Sequence, residues 1–449
     1  MQRDVRGLVL STDSAEAAKL FERAVGEYLE YRKSTMATAK EALAADPDFC
    51  LAHCFVGYLL MLFGTHAVDG KVAAALAQAE RLAPRASERE QMHVAALRAW
   101  RKGDNERANR IWDDILVAYP HDLMAMRLQH FNLFWVGQSY FMRDAVAGAI
   151  GAWDPGMPGY GNVLGMYAFA LEECGDYAAA EPKGRRAVEL CGDDLWAIHA
   201  VAHVLEMRGQ LEEGVAWLKQ PFGAWADRNP FRQHLWWHTA LFPLELGQYD
   251  RVLEFYDREI RSQPSEFYLD IQNAASMLFR LEWCGVDVGQ RWRELAEIAE
   301  KHIDDHVLAF TDVHFMLALC RDGRLASAER LLSSFHAFAA TPGNSTAAVM
   351  EPAAIPIAEA MLAYAKRDYR AAIEKLAASR YRWPLVGASH AQRDLFAILL
   401  IASAEKAGDW TLARSLLRER IELRPHSAGN QAHYAAAMAN VGEAARAPN

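Results

Sequence analysis

At 449 residues the chain has room for about two to four globular domains or for one long repeat array. It is 52% hydrophobic and 10% aromatic, with 13 Trp, which is ample for a large core and suits helix-on-helix packing or a ligand groove. Its formal charge of −10, with no block of Lys or Arg, argues against a protein that binds phosphate backbones, so no nucleic-acid partner is expected.

In chain order, Met1-Gln-Arg-Asp-Val-Arg-Gly7 is charged and lacks a long apolar run, so no signal peptide is expected. Nowhere does the chain reach about 18 uninterrupted apolar residues, and no membrane span is expected. Residues 13–47 and 52–84 read as two degenerate helix pairs, with Ala45-Asp-Pro47 as a stop. From there a turn signature recurs: Gly103-Asp-Asn, Gly137-Gln-Ser, Gly175-Asp-Tyr, Gly209-Gln-Leu, Gly247-Gln-Tyr, Gly285-Val-Asp, Gly323-Arg-Leu and Gly408-Asp-Trp. The steps up to Gly323 are 34, 38, 34, 38, 38 and 38 residues, and Arg367-Asp-Tyr fills the same slot with Arg in place of Gly. An apolar helical pattern precedes and follows each turn. Tyr119-Pro120 and Arg424-Pro425 end second helices, while Ala180 and Ala187 mark positions where two helices approach closely. Irregular connections are expected at Trp153-Asp-Pro-Gly-Met-Pro-Gly-Tyr160, from Thr341 through Pro356, and at Arg382 to His390. A capping helix is expected near residues 431–441 and a disordered tail over 444–449. No stretch shows the period-two alternation of a strand. Cys50, Cys54, Cys174, Cys191, Cys284 and Cys320 form no C-x-x-C pair, which fits reduced thiols in a cytoplasmic protein.

These turns, with Ala and Pro at set offsets, resemble the tetratricopeptide repeat, two antiparallel helices per 34 residues. The resemblance implies an all-α fold, an α-α superhelix of about nine helix pairs or slightly more with a C-terminal capping helix. It would form a single repeat domain over 1–449: degenerate repeats in 1–102, the most regular in 103–340, and the last repeats and cap in 341–449. Almost end to end, the chain also resembles the tetratricopeptide repeat protein 38 family. Leu10-Ser-Thr-Asp-Ser-Ala-Glu-Ala-Ala-Lys-Leu-Phe21, Glu90-Gln-Met-His-Val94, Val201-Ala-His-Val-Leu-Glu-Met207, Val288-Gly-Gln-Arg-Trp292, Lys301-His-Ile-Asp-Asp-His306, Asp312-Val-His-Phe315 and Ala391-Gln-Arg-Asp394 carry that resemblance. It implies the helical repeat and supplies no reaction.

The repeat resemblance also supplies a register: helix-A positions 2, 5, 9, 12 and 13 line the concave groove, with the turn Gly near position 15. Counting back from Gly209 puts Trp196, His199, His203 and Glu206 on groove positions. Gly247 puts His234 and Trp237 there with His238 on the flank, and Gly175 adds Phe169 and Glu172, with Gly165 leaving room beside His199. Helical spacing alone places His199 and His203 on one face. Two imidazoles one turn apart, a third nitrogen from His238 or His234 and the Glu206 carboxylate make a ligand set for zinc or iron. The plain alternative is a hydrogen-bonded seam between two repeats. Pro243 lies inside the helix that carries His238 and cannot donate to Thr239. Asp312 and His314 form a second polar group, where Asp304 or Asp305 would cap a helix. Arg393 could clamp a carboxylate or phosphate at a groove end, although an Arg–Asp packing pair explains it as well. Two functions stay open. One is a local pocket for a small ligand or metal, with any chemistry at His199, His203, Glu206 and His238. The other is a scaffold holding a partner peptide in the groove without catalysis. A homo-oligomer is compatible with either.

Overall fold

The computed structural model describes residues 1–442; the expected disordered tail at 444–449 lies outside the described residues. The fold is all-α, a tetratricopeptide-like helical repeat. Its helices follow one another in eleven couples plus one terminal helix: α1 Ala15–Leu29 and α2 Thr35–Ala45, α3 Cys50–Met61 and α4 Asp69–Leu82, α5 Glu88–Arg101 and α6 Asn105–Ala118, α7 Leu123–Trp135 and α8 Ser139–Ile150, α9 Tyr160–Glu173 and α10 Tyr177–Leu190, α11 Leu195–Met207 and α12 Leu211–Trp217, α13 Phe231–Glu245 and α14 Tyr249–Phe255, α15 Tyr268–Trp283 and α16 Arg291–Lys301, α17 Ala309–Arg321 and α18 Leu325–Ala339, α19 Ile355–Ala365 and α20 Tyr369–Ser379, α21 His390–Ala407 and α22 Trp410–Leu423, then α23 Ala428–Asn440. The only strands among the described residues are Gln2–Arg3 and Val9–Leu10, an antiparallel pair. At two residues each they are too short for alternation to show, which is why the sequence gives no sign of them.

The recurring turn has a local cause. Each turn glycine sits in the left-handed region, from φ +66° at Gly209 to φ +82° at Gly175, where a Cβ costs about 1 kcal/mol or more. The residue after it often caps the next helix. Asp104 accepts from the Arg107 amide, Asp176 from Ala179, Asp368 from Ala371 and Asp409 from Leu412. Such a cap contributes about 1 kcal/mol. The exception read from the sequence is a real one: Arg367 adopts φ +64° without being glycine.

The chain divides into two compact units. The first comprises 1–201, 225–231 and 342–346. Its buried aromatic centre includes Phe49, Phe55, Tyr58 and Trp112, and a polar group lies beside it. There Asp122 takes Arg89 Nη1 at 2.5 Å and His93 Nε2 at 3.0 Å while capping α7 through the Ala125 amide. Gly184 allows close packing, since a Cβ there would fall 2.7 Å from Val201.

The second unit comprises 202–224, 232–341 and 347–449. Its first helices do not form an open row: α15 packs on α17, α17 on α19 and α19 on α21, and α21 returns to α15. Arg280 Nη2 on α15 donates to the Ala391 carbonyl on α21 at 2.8 Å. Trp283 stacks on His433 of α23 at 4.0 Å. Much of the inner face of this unit is occupied by its own side chains: of the groove positions on α15, Gln272, Ala275 and Phe279 are buried and Glu282 and Trp283 are half-buried. The connection before α19 is a 3-10 turn at Ala347–Val349 and a π turn at Met350–Ala354. Together, Ala347–Ala365 is long and apolar enough to cross a membrane by length and composition. Glu359 within it pairs with Lys375 at 2.6 Å, and Ile355, Ile357, Ala358 and Met361 are buried, as in a core helix.

Candidate metal centre

Three histidines converge in the second unit. His203 comes from α11, His234 and His238 from successive turns of α13, and all three are buried. Each presents a ring nitrogen within 4.8 Å of the others. The Nε2 atoms of His234 and His238 are 3.3 Å apart, and the His203 and His238 rings are centred 4.4 Å apart. Behind this face, oxygens hold the other ring nitrogens: His234 Nδ1 is 2.8 Å from Asn273 Oδ1, and His238 Nδ1 is 3.3 Å from Glu206 Oε2. An amide oxygen only accepts, so His234 Nδ1 carries the proton and its Nε2 is bare.

Two proton arrangements fit these distances. In one, His238 donates from Nε2 to His234, and Glu206 keeps a proton to share with His238 Nδ1. In the other, Glu206 is ionised, His238 is protonated at Nδ1, and two bare Nε2 lone pairs face each other. Lone pairs at that separation repel unless a cation sits between them. Two nitrogens on a tetrahedral zinc at about 2.0–2.1 Å stand about 3.3 Å apart. An imidazole held from behind by a carboxylate or amide oxygen is the usual second layer of a metal site.

Burial sets the electrostatics. It drives His234 down to about 3 against the Asn273 contact, and it drives His238 well below the ordinary range, with His203 and His234 adding to the effect. Both rings are therefore neutral near pH 7, the form that ligates. Burial pushes the Glu206 carboxyl up, opposed by Arg424, whose Nη2 lies 3.6 Å away, and by His203. Asp394 holds Arg424 in turn at 3.2 Å. Trp237 lies parallel to the His234 ring at 5.4 Å, and the Arg280 guanidinium carbon lies over the Trp237 indole at 5.4 Å.

No family model matches the chain. Among solved structures it is similar to the human IFIT1 dimer with PPP-AAAA, at 14% identity over 93% of this chain and 100% of that one, with a TM-score of 0.41. It is also similar to yeast Tom70, at 12% identity over 95% and 96% with a TM-score of 0.33. A chain of the APC/C hetero-tetramer Cut9-Hcn1 matches at 10% identity over 95% and 91%, with a TM-score of 0.32. Likenesses of this size say nothing about function.

The other residues singled out by sequence fall in several places. Trp196, His199, Phe169 and Glu172 are buried in the first unit, where the His199 ring stacks on Phe169 at 5.2 Å. Gly165 leaves no room beside His199: a Cβ there would lie 3.0 Å from Ala197 and 3.2 Å from Asp194, so this glycine lets α9 and α11 touch. Asp312 is 3.4 Å from His306, and His314 Nδ1 donates to the Phe310 carbonyl at 2.7 Å. Neither Asp304 nor Asp305 caps a helix. Asp305 takes His302 Nδ1 at 2.7 Å, His306 turns to φ +48°, and α17 starts only at Ala309. Arg393 Nη1 donates to the Gly387 carbonyl at 3.2 Å and to that of Ala388, tying down the loop before its own helix, while Asp394 pairs with Arg420 and Arg424. Pro243 is accommodated inside α13. Sequence reading missed Asn273, Arg280 and Arg424. Asn273 and Arg280 fall at helix-A positions 3 and 10, off the groove stripe, and Arg424 follows a B helix.

Proposed function

We propose that this chain is a metal-binding helical repeat protein of the tetratricopeptide repeat protein 38 family, with a transition-metal ion held by His203, His234 and His238. The observation that carries this reading is the 3.3 Å approach of the His234 and His238 Nε2 atoms, each ring backed at Nδ1 by an oxygen. The sequence pointed to His199, His203, Glu206 and a nitrogen from His238 or His234; this ligand set keeps His203, takes both His234 and His238, leaves His199 out, and makes Glu206 the group that orients His238. Imidazole nitrogens suit zinc and iron, and a three-nitrogen set leaves a coordination position for a further ligand.

The test is elemental analysis of untagged protein purified without chelator. About one equivalent of metal per chain is expected, falling below one-tenth in His234→Ala plus His238→Ala. Substoichiometric metal that does not change in that variant overturns the reading. Cobalt(II) titration of stripped wild-type protein guards against a misfolded variant, since tetrahedral nitrogen ligation gives intense visible bands. The other function, a scaffold that holds a partner peptide in a groove, needs open helix-A positions. In the second unit Trp237, Gln272, Ala275 and Phe279 are buried, so a partner of that unit would dock on other faces.

A further inference from the structure

The first unit buries an arginine whose charge is only partly answered. Arg127, on α7, is 2% exposed. One of its terminal nitrogens, Nη2, donates to the Tyr31 hydroxyl. Its Nε and Nη1 have no hydrogen-bond partner. The guanidinium carbon lies 4.4 Å from the Trp196 ring and 5.1 Å from the Tyr31 ring, so aromatic faces surround it. One helical turn further along α7, His130 accepts from Trp196 Nε1 at 3.1 Å through its own Nε2. A neutral His130 therefore carries its proton on Nδ1, and that N–H is also buried without a partner. Burial and the nearby Arg127 both keep this ring neutral.

The opposing charge is Asp194, but its oxygens are already committed. Oδ1 accepts from the Trp196 and Ala197 amides at 2.9 and 3.2 Å, and Oδ2 from Asn162 at 2.9 Å. The unsatisfied atoms around Arg127 are thus mostly donors; the exception is the buried Tyr28 hydroxyl, close enough to Arg127 to accept from one of its N–H groups and leave the other N–H and that of His130 unanswered. A buried N–H with no acceptor forfeits its hydration without replacement, and the penalty is larger when the group is charged. Over this group lie two irregular segments bridged at Arg32 and Arg228, where Tyr31 stacks on Phe231 at 4.1 Å. Tyr31 holds φ +60°, a conformation that a bulky side chain rarely adopts. Such strain persists where the surroundings over-determine it, and often at binding sites.

We propose that the first unit binds a small carboxylate with an apolar body, its carboxyl group accepting from Arg127 and the His130 Nδ1–H and its body against Trp196, Tyr31 and Phe231. A monoanion fits better than a phosphate dianion, because Asp194 stands within electrostatic reach of Arg127 and repels added negative charge. The aromatic walls favour a flat, apolar body over a hydrated one.

Benzoate, acetate and inorganic phosphate, titrated separately into the full-length protein by calorimetry, test this. Benzoate should bind at one per chain, more tightly than acetate, with no heat from phosphate. Arg127→Met should weaken benzoate at least tenfold. If that variant fails to fold, the bromine of 4-bromobenzoate in wild-type crystals reports the position directly, and an anomalous peak beside Arg127 is expected. No benzoate binding at millimolar concentration, tighter binding of phosphate, an unchanged affinity in a folded Arg127→Met, or bromine bound only elsewhere would each overturn the proposal.

Discussion

Replacing Asp394 by Ala removes the shared acceptor of two buried arginines in the second unit. Arg420 reaches it at 2.5 and 3.0 Å and Arg424 at 3.2 Å, and the three side chains are 14%, 10% and 11% exposed. Burial alone would push this carboxyl up. Arg420 and Arg424 outweigh burial and hold it well below the usual range. Removing one partner of a buried pair costs about 3–5 kcal/mol, chiefly because a charge is left uncompensated. Here both arginines keep something: Arg420 Nε still donates to Asn430 at 2.9 Å, and Arg424 still faces Glu206 at 3.6 Å and Glu245 at 3.9 Å. That residual pairing places the expected loss near the lower end, about 3 kcal/mol. Urea unfolding near pH 7 measures it, and Asp394→Leu plus Arg420→Leu should lose less than the sum of the two single changes, because Arg420 is no longer left without its carboxylate and Arg424 keeps Glu206 and Glu245. The pH dependence has a definite sign. A carboxyl whose folded value lies below its unfolded value of about 3.9 stabilises fully above that pH and loses its contribution as the pH falls further. The variant should therefore show a flatter acid limb below about pH 4. A loss under about 1 kcal/mol, or a double variant worse than additive, would refute the reasoning.

His314 is buried, and burial holds it down at about 4 although the Phe310 carbonyl accepts from its Nδ1. Its unfolded value is near 6.5, so between about pH 6.5 and 4 the unfolded chain binds the extra proton and acid destabilises the fold by about 1.4 kcal/mol per pH unit. His314→Gln should remove one proton's worth of that slope in stability measured from pH 7 to 4, and an unchanged slope would show that the ring titrates normally. Arg367 occupies the left-handed slot that glycine fills in the other signature turns. Arg367→Gly should raise stability by about 0.5–1.5 kcal/mol in thermal or urea melts, and a loss would mean that the Arg side chain contributes more than its backbone strain costs.

The repeat was legible because its chemistry is local. A glycine that must take positive φ and a following Asp that caps the next helix lie within a few residues of each other, so they leave a period in the sequence. The two N-terminal pairs without such turns were legible only from their apolar patterns and Pro47. The histidine cluster was legible in part. One helical turn separates His234 from His238, and the repeat register put His203 near both, but the oxygens behind the rings come from different elements. Asn273 lies 39 residues from His234, and nothing in its neighbourhood marks it as a partner. Closure of the inner face depends on contacts such as Arg280 to Ala391, which are 111 residues apart and obey no short-range rule. Arg127 could have been found: counting back from Gly137 in the same register places it at position 5, the position that His199 holds two helix couples further on.

Because α21 returns to α15, the number of helix couples between them is fixed. An open array can gain or lose a repeat at modest cost, since each couple touches only its neighbours and the ends are free. Here an inserted couple would pull Ala391 away from Arg280 and open a filled interior, and a deleted one would leave too little chain to bring them together. The second unit should accordingly unfold as one cooperative block and not fray couple by couple, and descendants of this chain can vary loop lengths in that unit far more readily than repeat number.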